Sequence, residues 1–86
     1  MREELISKLI DLIKLKFFIN EVLPTHKLRE DLGLDSFDLI ELCILAESTF
    51  KKELENFNFD GFVKLLTNND YSIEDIISLY LIEYNK

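Results

Sequence analysis

The apolar residues of this chain recur at intervals of three and four positions, and no segment alternates apolar with polar residues. Intervals of three and four place side chains on one face of a helix, whereas strict alternation is typical of a half-buried strand. The pattern is fullest over residues 3–19, whose apolar positions include Leu5, Ile6, Leu9, Ile10, Leu12, Ile13 and Phe17. The sequence therefore predicts an all-α fold whose first helix spans residues 3–19.

A long connection is expected after this first helix. Asn20 and Pro24 are expected to end the helix, because proline lacks an N–H group and the residue before a proline avoids helical backbone angles. The connection then runs to about Asp35, and Gly33 permits a sharp bend near its end. Four leucines are expected to pin this loop across the bundle: Leu23, Leu28, Leu32 and Leu34.

Three more helices are expected after the long loop. The second is predicted from Ser36 to about Lys52, and residues 59–66 predict a short third helix followed by a turn at 67–70. Ser72 and Asp75 form an acidic variant of the capping box, which marks the start of a fourth helix. The expected buried face of that helix is Ile73, Ile76, Ile77, Tyr80 and Tyr84. The sequence thus predicts one domain, residues 1–86, built as a four-helix bundle with a long first loop and a short third helix.

Composition limits the function classes that fit the chain. The net charge of −7 argues against nucleic acid as a partner, because binding phosphates requires a stripe of Lys and Arg, and it suits a basic protein better. No apolar stretch approaches the roughly 18 residues that a membrane-crossing helix needs, and the opening Met-Arg-Glu-Glu lacks the pattern of a signal peptide. Cys43 is the single cysteine, so no internal disulfide is expected. We expect a cytoplasmic monomer that does not insert into membranes.

The second predicted helix has apolar residues on two opposite sides. One side is an ordinary core stripe, composed of Leu39, Leu42, Cys43, Ala46 and Phe50. The other side, which we call the outer stripe, is composed of Phe37, Ile40, Glu41, Ile44, Glu47 and Ser48. Apolar side chains interleaved with carboxylates where solvent is expected favour a protein-binding surface. Alternatively, the loop or the third helix covers Phe37, Ile40 and Ile44. For Ile40 the two interpretations weigh equally, and for Phe37 and Ile44 we expect exposure.

Ser36 is the expected first residue of the second helix, with Asp35 as its N-cap and Asp38 at the third position, where carboxylates oppose the positive end of the helix dipole. The free N–H groups at such a position accommodate a phosphate. On residue types alone, however, Asp-Ser-Phe-Asp is a helix cap, because helix starts prefer Asp and Ser. The surrounding segment is acidic: residues 30–50 hold six Asp and Glu and no Lys or Arg.

Residues 31–42, Asp-Leu-Gly-Leu-Asp-Ser-Phe-Asp-Leu-Ile-Glu-Leu, resemble the Asp-Leu-Gly-x-Asp-Ser-Leu-Asp-x-Val-Glu-Leu signature of acyl carrier proteins. The resemblance extends to Ala46, Glu47 and Phe50, and its place after one helix and a long loop also fits that family. Outside residues 28–50 the similarity is one of architecture.

The resemblance implies that Ser36 receives 4′-phosphopantetheine from coenzyme A through a phosphopantetheinyl transferase that uses Mg²⁺. The thiol of this arm would hold acyl intermediates as thioesters for fatty-acid, polyketide or related biosynthesis. Asp35 would help to hold the transferase's Mg²⁺ and coenzyme A. The outer stripe, together with Asp38, would meet the basic, partly apolar docking patches of acyl-transferring or condensing enzymes. The chain would then be a substrate of enzymes rather than an enzyme, with no catalytic or metal-ligating residue of its own.

Two departures from the signature leave alternatives open. Phe37 replaces the usual Leu, and Ser48 stands where an acid is common, which weakens a role in fatty-acid synthesis. A Ser followed by Phe resembles the carriers of D-alanine, so an aminoacyl carrier is the alternative cargo class. An acidic helical adaptor without a prosthetic group is an alternative from a different class.

Two further residues of chemical interest are expected to have no special role. His26 is the single histidine, and no Ser, Cys or acid lies at triad-like spacing from it, so we expect a solvated loop residue. Cys43 lies at the edge of the core stripe and is expected to pack as a small apolar side chain.

Overall fold

Four helices make up the regular secondary structure of residues 1–85, which are the residues that the computed structural model describes. They are α1 (Arg2–Phe17), α2 (Ser36–Phe50), α3 (Phe59–Asn68) and α4 (Ile73–Glu83). Over this range no strand forms, and β-type pairing is limited to one antiparallel bridge between Lys27 and Ser72. The predicted all-α bundle with a long first loop and a short third helix is confirmed. None of the four helices is long and apolar enough to cross a membrane.

The helical faces expected to be apolar are the ones that pack together. The core stripe of α2 is fully buried, and so are four residues of α1 and four of α4. These eight residues are Leu5, Ile6, Leu9, Ile13, Ile73, Ile76, Ile77 and Tyr80. Because each buried face spans two or more turns, the four helices share one apolar core.

Aromatic rings fill the part of the core between α2, α3 and α4. Phe50, Phe57, Phe62 and Tyr80 are all buried, and the Phe50 ring meets those of Phe57 and Phe62 edge to face at centroid distances of 5.7 and 5.6 Å. The Tyr80 hydroxyl accepts a hydrogen bond from the backbone N–H of Asn58 at 2.6 Å. Burial raises the pKa of Tyr80, and the Asn58 hydrogen bond opposes that shift. The hydroxyl therefore stays a neutral anchor for the start of α3.

The long first loop is ordered because the start of α4 holds it. The backbone carbonyls of Pro24 and His26 accept hydrogen bonds from the N–H groups of Glu74 and Ile73, at 2.9 and 3.1 Å. These two N–H groups have no partner within their own helix, since they lie in its first turn. The loop thus provides hydrogen-bond acceptors for the first N–H groups of α4.

Leucine packing in this loop follows the prediction in part. Leu28 and Leu34 are buried and Leu32 is partly buried against the core, as expected, but Leu23 is exposed and Val22 is buried instead. Gly33 adopts a φ of 72°, which confirms the bend expected there.

Helix α1 ends earlier than the sequence suggests. The prediction placed its end near Asn20, but the helix ends at Phe17, and Phe18 adopts a left-handed conformation with φ 56°. The chain turns at this point, so that Ile19 and Val22 pack against the core. Proline is therefore not the residue that stops the helix.

Three other local predictions need correction. Helix α2 ends at Phe50 rather than near Lys52, and Thr67 and Asn68 belong to the last turn of α3 rather than to a turn. The Thr67 hydroxyl donates to the Val63 carbonyl one turn earlier at 2.7 Å, so the side chain finds its hydrogen-bond partner within α3. At the start of α4, Ser72 accepts from the N–H of Asp75, but the reciprocal half of the expected capping box is not formed.

His26 has a structural role rather than that of a solvated loop residue. It is half-buried, and its Nδ1 accepts a hydrogen bond from the N–H of Leu23 at 3.0 Å. Its backbone N–H donates to the Leu23 carbonyl at the same distance, so the residue closes a turn in the loop.

Leu42→Ala and Ile44→Ala test the two sides of α2. Leu42 is fully buried, so its truncation should lower the free energy of unfolding by about 2–5 kcal/mol through lost burial and a cavity. Ile44 lies on the same helix but is 58% exposed, so its truncation should cost no more than about 0.5 kcal/mol. Urea denaturation of both variants measures the difference. Equal losses would contradict the assignment of the two faces.

Candidate functional site

Ser36 is the first residue of α2, and a reciprocal cap fixes that helix start. The N–H of Asp38 donates to Oδ1 of Asp35 at 2.8 Å, and the N–H of Asp35 donates to Oδ2 of Asp38 at 3.1 Å. The predicted N-cap and third-position roles of these two acids are confirmed. Because the cap occupies the residues on both sides, the backbone at Ser36 has one defined orientation.

The bend at Gly33, just before the cap, directs the Ser36 side chain outward. Leu34 is buried, and its N–H donates to the Leu28 carbonyl at 3.0 Å, whereas Asp35 and Ser36 directly after it are exposed. The left-handed Gly33 allows the chain to leave the core over this short distance. The Ser36 side chain therefore lies on the surface.

Two kinds of hydrogen-bond donor surround the Ser36 hydroxyl. Nη2 of Arg29 donates to Ser36 Oγ at 3.4 Å. The backbone N–H groups of Ser36 and Phe37 have no acceptor among residues 1–85, as is usual for the first turn of a helix. These donors make the surroundings of the hydroxyl suitable for an anion, and the helix dipole has the same effect.

The outer stripe of α2 is open to solvent, as expected for two of its three apolar residues. Phe37 is 71% exposed and Ile44 is 58% exposed, which confirms the predicted exposure of both. For Ile40 the sequence favoured neither burial nor exposure, and the structure shows a side chain that is 42% exposed. Neither the first loop nor α3 covers this face.

The carboxylates of the outer stripe are partly neutralised within the chain. Glu41 pairs with Lys16 of α1 at 3.3 Å, and Glu47 pairs with Lys51 at 3.5 Å. Both glutamates are about one-third exposed, so the two pairs are screened by water and contribute little stability. The stripe therefore offers three apolar side chains and two acids whose present partners are weakly held.

Arg29 and Asp70 were not among the residues singled out from the sequence. The Asp70 carboxylate accepts the N–H groups of Arg29 and Glu30 at 2.8 and 3.0 Å, and so fixes the loop that carries the guanidinium to Ser36. A sequence signal existed for Arg29, since it is the last base before a stretch without Lys or Arg that ends at Lys51. No local signal existed for Asp70, which lies 41 residues further along the chain.

The other titratable candidates have no catalytic geometry. Cys43 is fully buried, and burial raises the pKa of its thiol to about 12, which keeps it protonated and unreactive near neutral pH. Over residues 1–85 no three His, Cys, Asp or Glu side chains come close enough together to hold a metal ion. The structure thus provides a surface hydroxyl in an anion-compatible setting, with an apolar face beside it.

One known protein resembles the chain along most of its length. The chain is 31% identical over 75 residues to the acyl carrier protein of Rubrobacter xylanophilus, and the alignment covers 85% of this chain and 93% of that protein. No protein-family model matches the chain. No solved structure matches it significantly either.

The Cys43 thiol should resist alkylation in the folded protein. Its pKa of about 12 and its burial leave little accessible thiolate at pH 8, so iodoacetamide should react with native protein at least 100-fold more slowly than with protein unfolded in urea. Raising the pH from 8 to 9 increases the thiolate fraction in both states, but the native rate should stay far below the unfolded rate at both pH values. Similar rates in the two states would contradict the buried placement. Mass spectrometry of timed samples measures the rates.

Proposed function

The chain belongs to the acyl carrier protein family, and on that basis we propose that Ser36 accepts a 4′-phosphopantetheine arm. The thiol of the attached arm holds acyl groups as thioesters, and the protein presents them to one enzyme after another. The observation that supports this proposal most directly is the exposed Ser36 hydroxyl at the first position of α2.

The residues around Ser36 fit a phosphodiester. The hydroxyl is on the surface, so a transferase has access to it, and the free N–H groups of Ser36 and Phe37 point along the axis of the helix start. A phosphate oxygen attached at this point meets these donors and the positive end of the α2 dipole. The capping carboxylates of Asp35 and Asp38 each accept a backbone N–H, which offsets part of their charge.

Attachment of the arm is a phosphoryl-transfer reaction in which Ser36 is the nucleophile. The Ser36 oxygen forms a bond to the β-phosphorus of coenzyme A, the bridging pyrophosphate bond breaks, and 3′,5′-ADP leaves. The hydroxyl proton passes to a base of the transferase. This chain supplies the nucleophile and its orientation, and the transferase supplies Mg²⁺ and the base.

Asp35 contributes a carboxylate beside the reacting hydroxyl. Its Oδ1 is engaged by the N–H of Asp38, and no donor among residues 1–85 engages its Oδ2. A carboxylate oxygen is a preferred Mg²⁺ ligand. Asp35 would therefore help to hold the transferase's Mg²⁺ during the reaction.

The outer stripe of α2 forms the docking surface for partner enzymes. Phe37, Ile40 and Ile44 supply apolar contacts, and the acids between them attract the basic patches of acyl-transferring or condensing enzymes. Because Lys16 and Lys51 pair weakly with Glu41 and Glu47, a partner's Lys or Arg replaces them at little cost. Such a surface suits short-lived complexes, which a carrier needs in order to visit several enzymes.

Ser36→Ala tests the attachment site. Incubation of the wild type with coenzyme A, Mg²⁺ and a broad-specificity phosphopantetheinyl transferase should add one phosphopantetheine group, and Ser36→Ala should add none because the nucleophile is absent. Intact-mass spectrometry measures the addition.

Ser7→Ala is the matched control for this measurement. Ser7 is an exposed serine on α1, outside the outer stripe, and its loss should leave the modification unchanged. A wild-type chain that gains no mass from an active transferase would favour the adaptor without a prosthetic group.

Ile44→Ala and Ile82→Ala test the docking surface. Truncation of Ile44 should lower kcat/KM for the transferase about fivefold, which corresponds to ~1 kcal/mol of lost contact. Ile82 is 68% exposed on α4, away from the outer stripe, and its truncation should leave kcat/KM unchanged. Initial rates of modification at several carrier concentrations measure both. Equal effects of the two substitutions would rule against a docking role for the outer stripe.

A further inference from the structure

The Arg29 guanidinium lies directly beside the Ser36 hydroxyl. Its Nη2 is 3.4 Å from Ser36 Oγ, and the side chain is half-buried against the loop. Within residues 1–85, no Asp or Glu oxygen lies within 4.0 Å of its guanidinium nitrogens, in contrast to Lys27 in the same loop, which pairs with Glu30 at 3.5 Å. Within residues 1–85, the one hydrogen bond of the Arg29 guanidinium therefore goes to the proposed attachment oxygen.

Backbone hydrogen bonds hold Arg29 in this position. Its N–H donates to Oδ1 of Asp70 at 2.8 Å, and its carbonyl accepts the N–H of Gly33 at 3.0 Å. The N–H of the next residue, Glu30, donates to the other oxygen of the same carboxylate at 3.0 Å, and the preceding Leu28 is buried in the core. The guanidinium thus extends from a fixed backbone, which reduces the entropy lost when it binds a ligand.

The segment around Ser36 is acidic, so the positive charge of Arg29 becomes important when Ser36 carries a phosphodiester. Residues 30–50 hold six acids and no base, so a phosphodiester at Ser36 adds a negative charge to an already acidic segment. Asp35 and Asp38, on either side of the hydroxyl, would repel that charge. Arg29 is the single base that adjoins the hydroxyl in residues 1–85, and a guanidinium matches the oxygens of a phosphate better than an ammonium does.

We propose that Arg29 binds the phosphodiester of the modified Ser36 and thereby anchors the root of the arm against the first loop. The inference rests on the proposed function of Ser36. The phosphorus would bond directly to Ser36 Oγ, so its non-bridging oxygens would come within reach of the guanidinium, whose Nη2 already contacts Oγ. Arg29 is accordingly a positioning residue for the arm, and Asp70 holds it in place through the backbone.

The test compares the unmodified and modified forms of the wild type, Arg29→Gln and Lys27→Gln. Attachment of the arm should lower Tm by about 3–6 °C more in Arg29→Gln than in the wild type, because the added charge then lacks its partner. Lys27→Gln removes the same charge from the same loop, away from Ser36, and should respond to modification as the wild type does. Thermal denaturation followed by circular dichroism at low salt measures all six samples.

The phosphorus nucleus provides a second measurement that a purely structural role of Arg29 would not change. The ³¹P resonance of the modified wild type should differ from that of modified Arg29→Gln in the folded state, and the two should coincide in urea. Arg29→Lys keeps the charge without the planar fork, so its resonance should lie between them.

Identical ³¹P shifts in folded wild type, Arg29→Lys and Arg29→Gln, with equal changes of Tm on modification, would overturn the role of Arg29 and leave the attachment at Ser36 intact. A wild type that accepts no arm from an active transferase would overturn the attachment and this inference together. The mass of each sample, recorded first, distinguishes the two results.

Discussion

The placement of the candidate site depends on hydrogen bonds that join the first loop to the start of α4 and to Asp70 just before it. Seventeen residues separate α1 from Asp35, and a connection of that length loses much conformational entropy when it becomes ordered. The carbonyls of Pro24 and His26 satisfy the first N–H groups of α4, and the carboxylate of Asp70 satisfies two N–H groups of the loop. The loop thus provides acceptors for the N–H groups of α4, and Asp70 provides acceptors for the N–H groups of the loop. Burial of Leu28 and Leu34 adds apolar stabilisation.

These hydrogen bonds also determine where α2 begins. With Leu28 and Leu34 held in the core, the left-handed Gly33 directs the chain outward, and the reciprocal cap of Asp35 and Asp38 starts the helix. The result is a short exposed segment between a buried leucine and a capped helix, in which the Ser36 hydroxyl is accessible and its backbone is held in one orientation. The proposed attachment of an arm at Ser36 requires both properties.

Helix α2 has one face in the core and the opposite face on the surface. Its core stripe is fully buried, and its outer stripe exposes three apolar residues on a face that neither the loop nor α3 covers. Phe37, Ile40 and Ile44 follow directly after Ser36 along the helix. Under the proposed function, an enzyme docked on these residues would lie close to an arm attached at Ser36. The glutamates beside them are only weakly paired, so exchanging their partners would cost little energy.

How much could be predicted from the sequence depended on how local the determining interactions were. The two stripes of α2, its cap and the Gly33 bend were predicted correctly, because periodicity, capping residues and backbone freedom act over a few neighbouring positions. The end of α1 was placed too late, since the helix ends at the left-handed Phe18, six residues before Pro24. The last turn of α3 was assigned to a turn because Asn and Asp favour turns locally, whereas the helix gains from its packing.

Local sequence patterns were enough to predict the helical class, the buried and exposed faces of α2 and the position of Ser36 at a helix start. All of these follow from residues within one or two turns of each other. The folded arrangement was needed to show that Arg29 lies beside Ser36, that Asp70 holds it there, and that His26 and Pro24 accept hydrogen bonds from α4. The Arg29–Ser36 contact spans seven residues of a loop that Asp70 holds, and the other contacts join segments at least 41 residues apart. They form only when the shared apolar core has fixed the helices relative to one another.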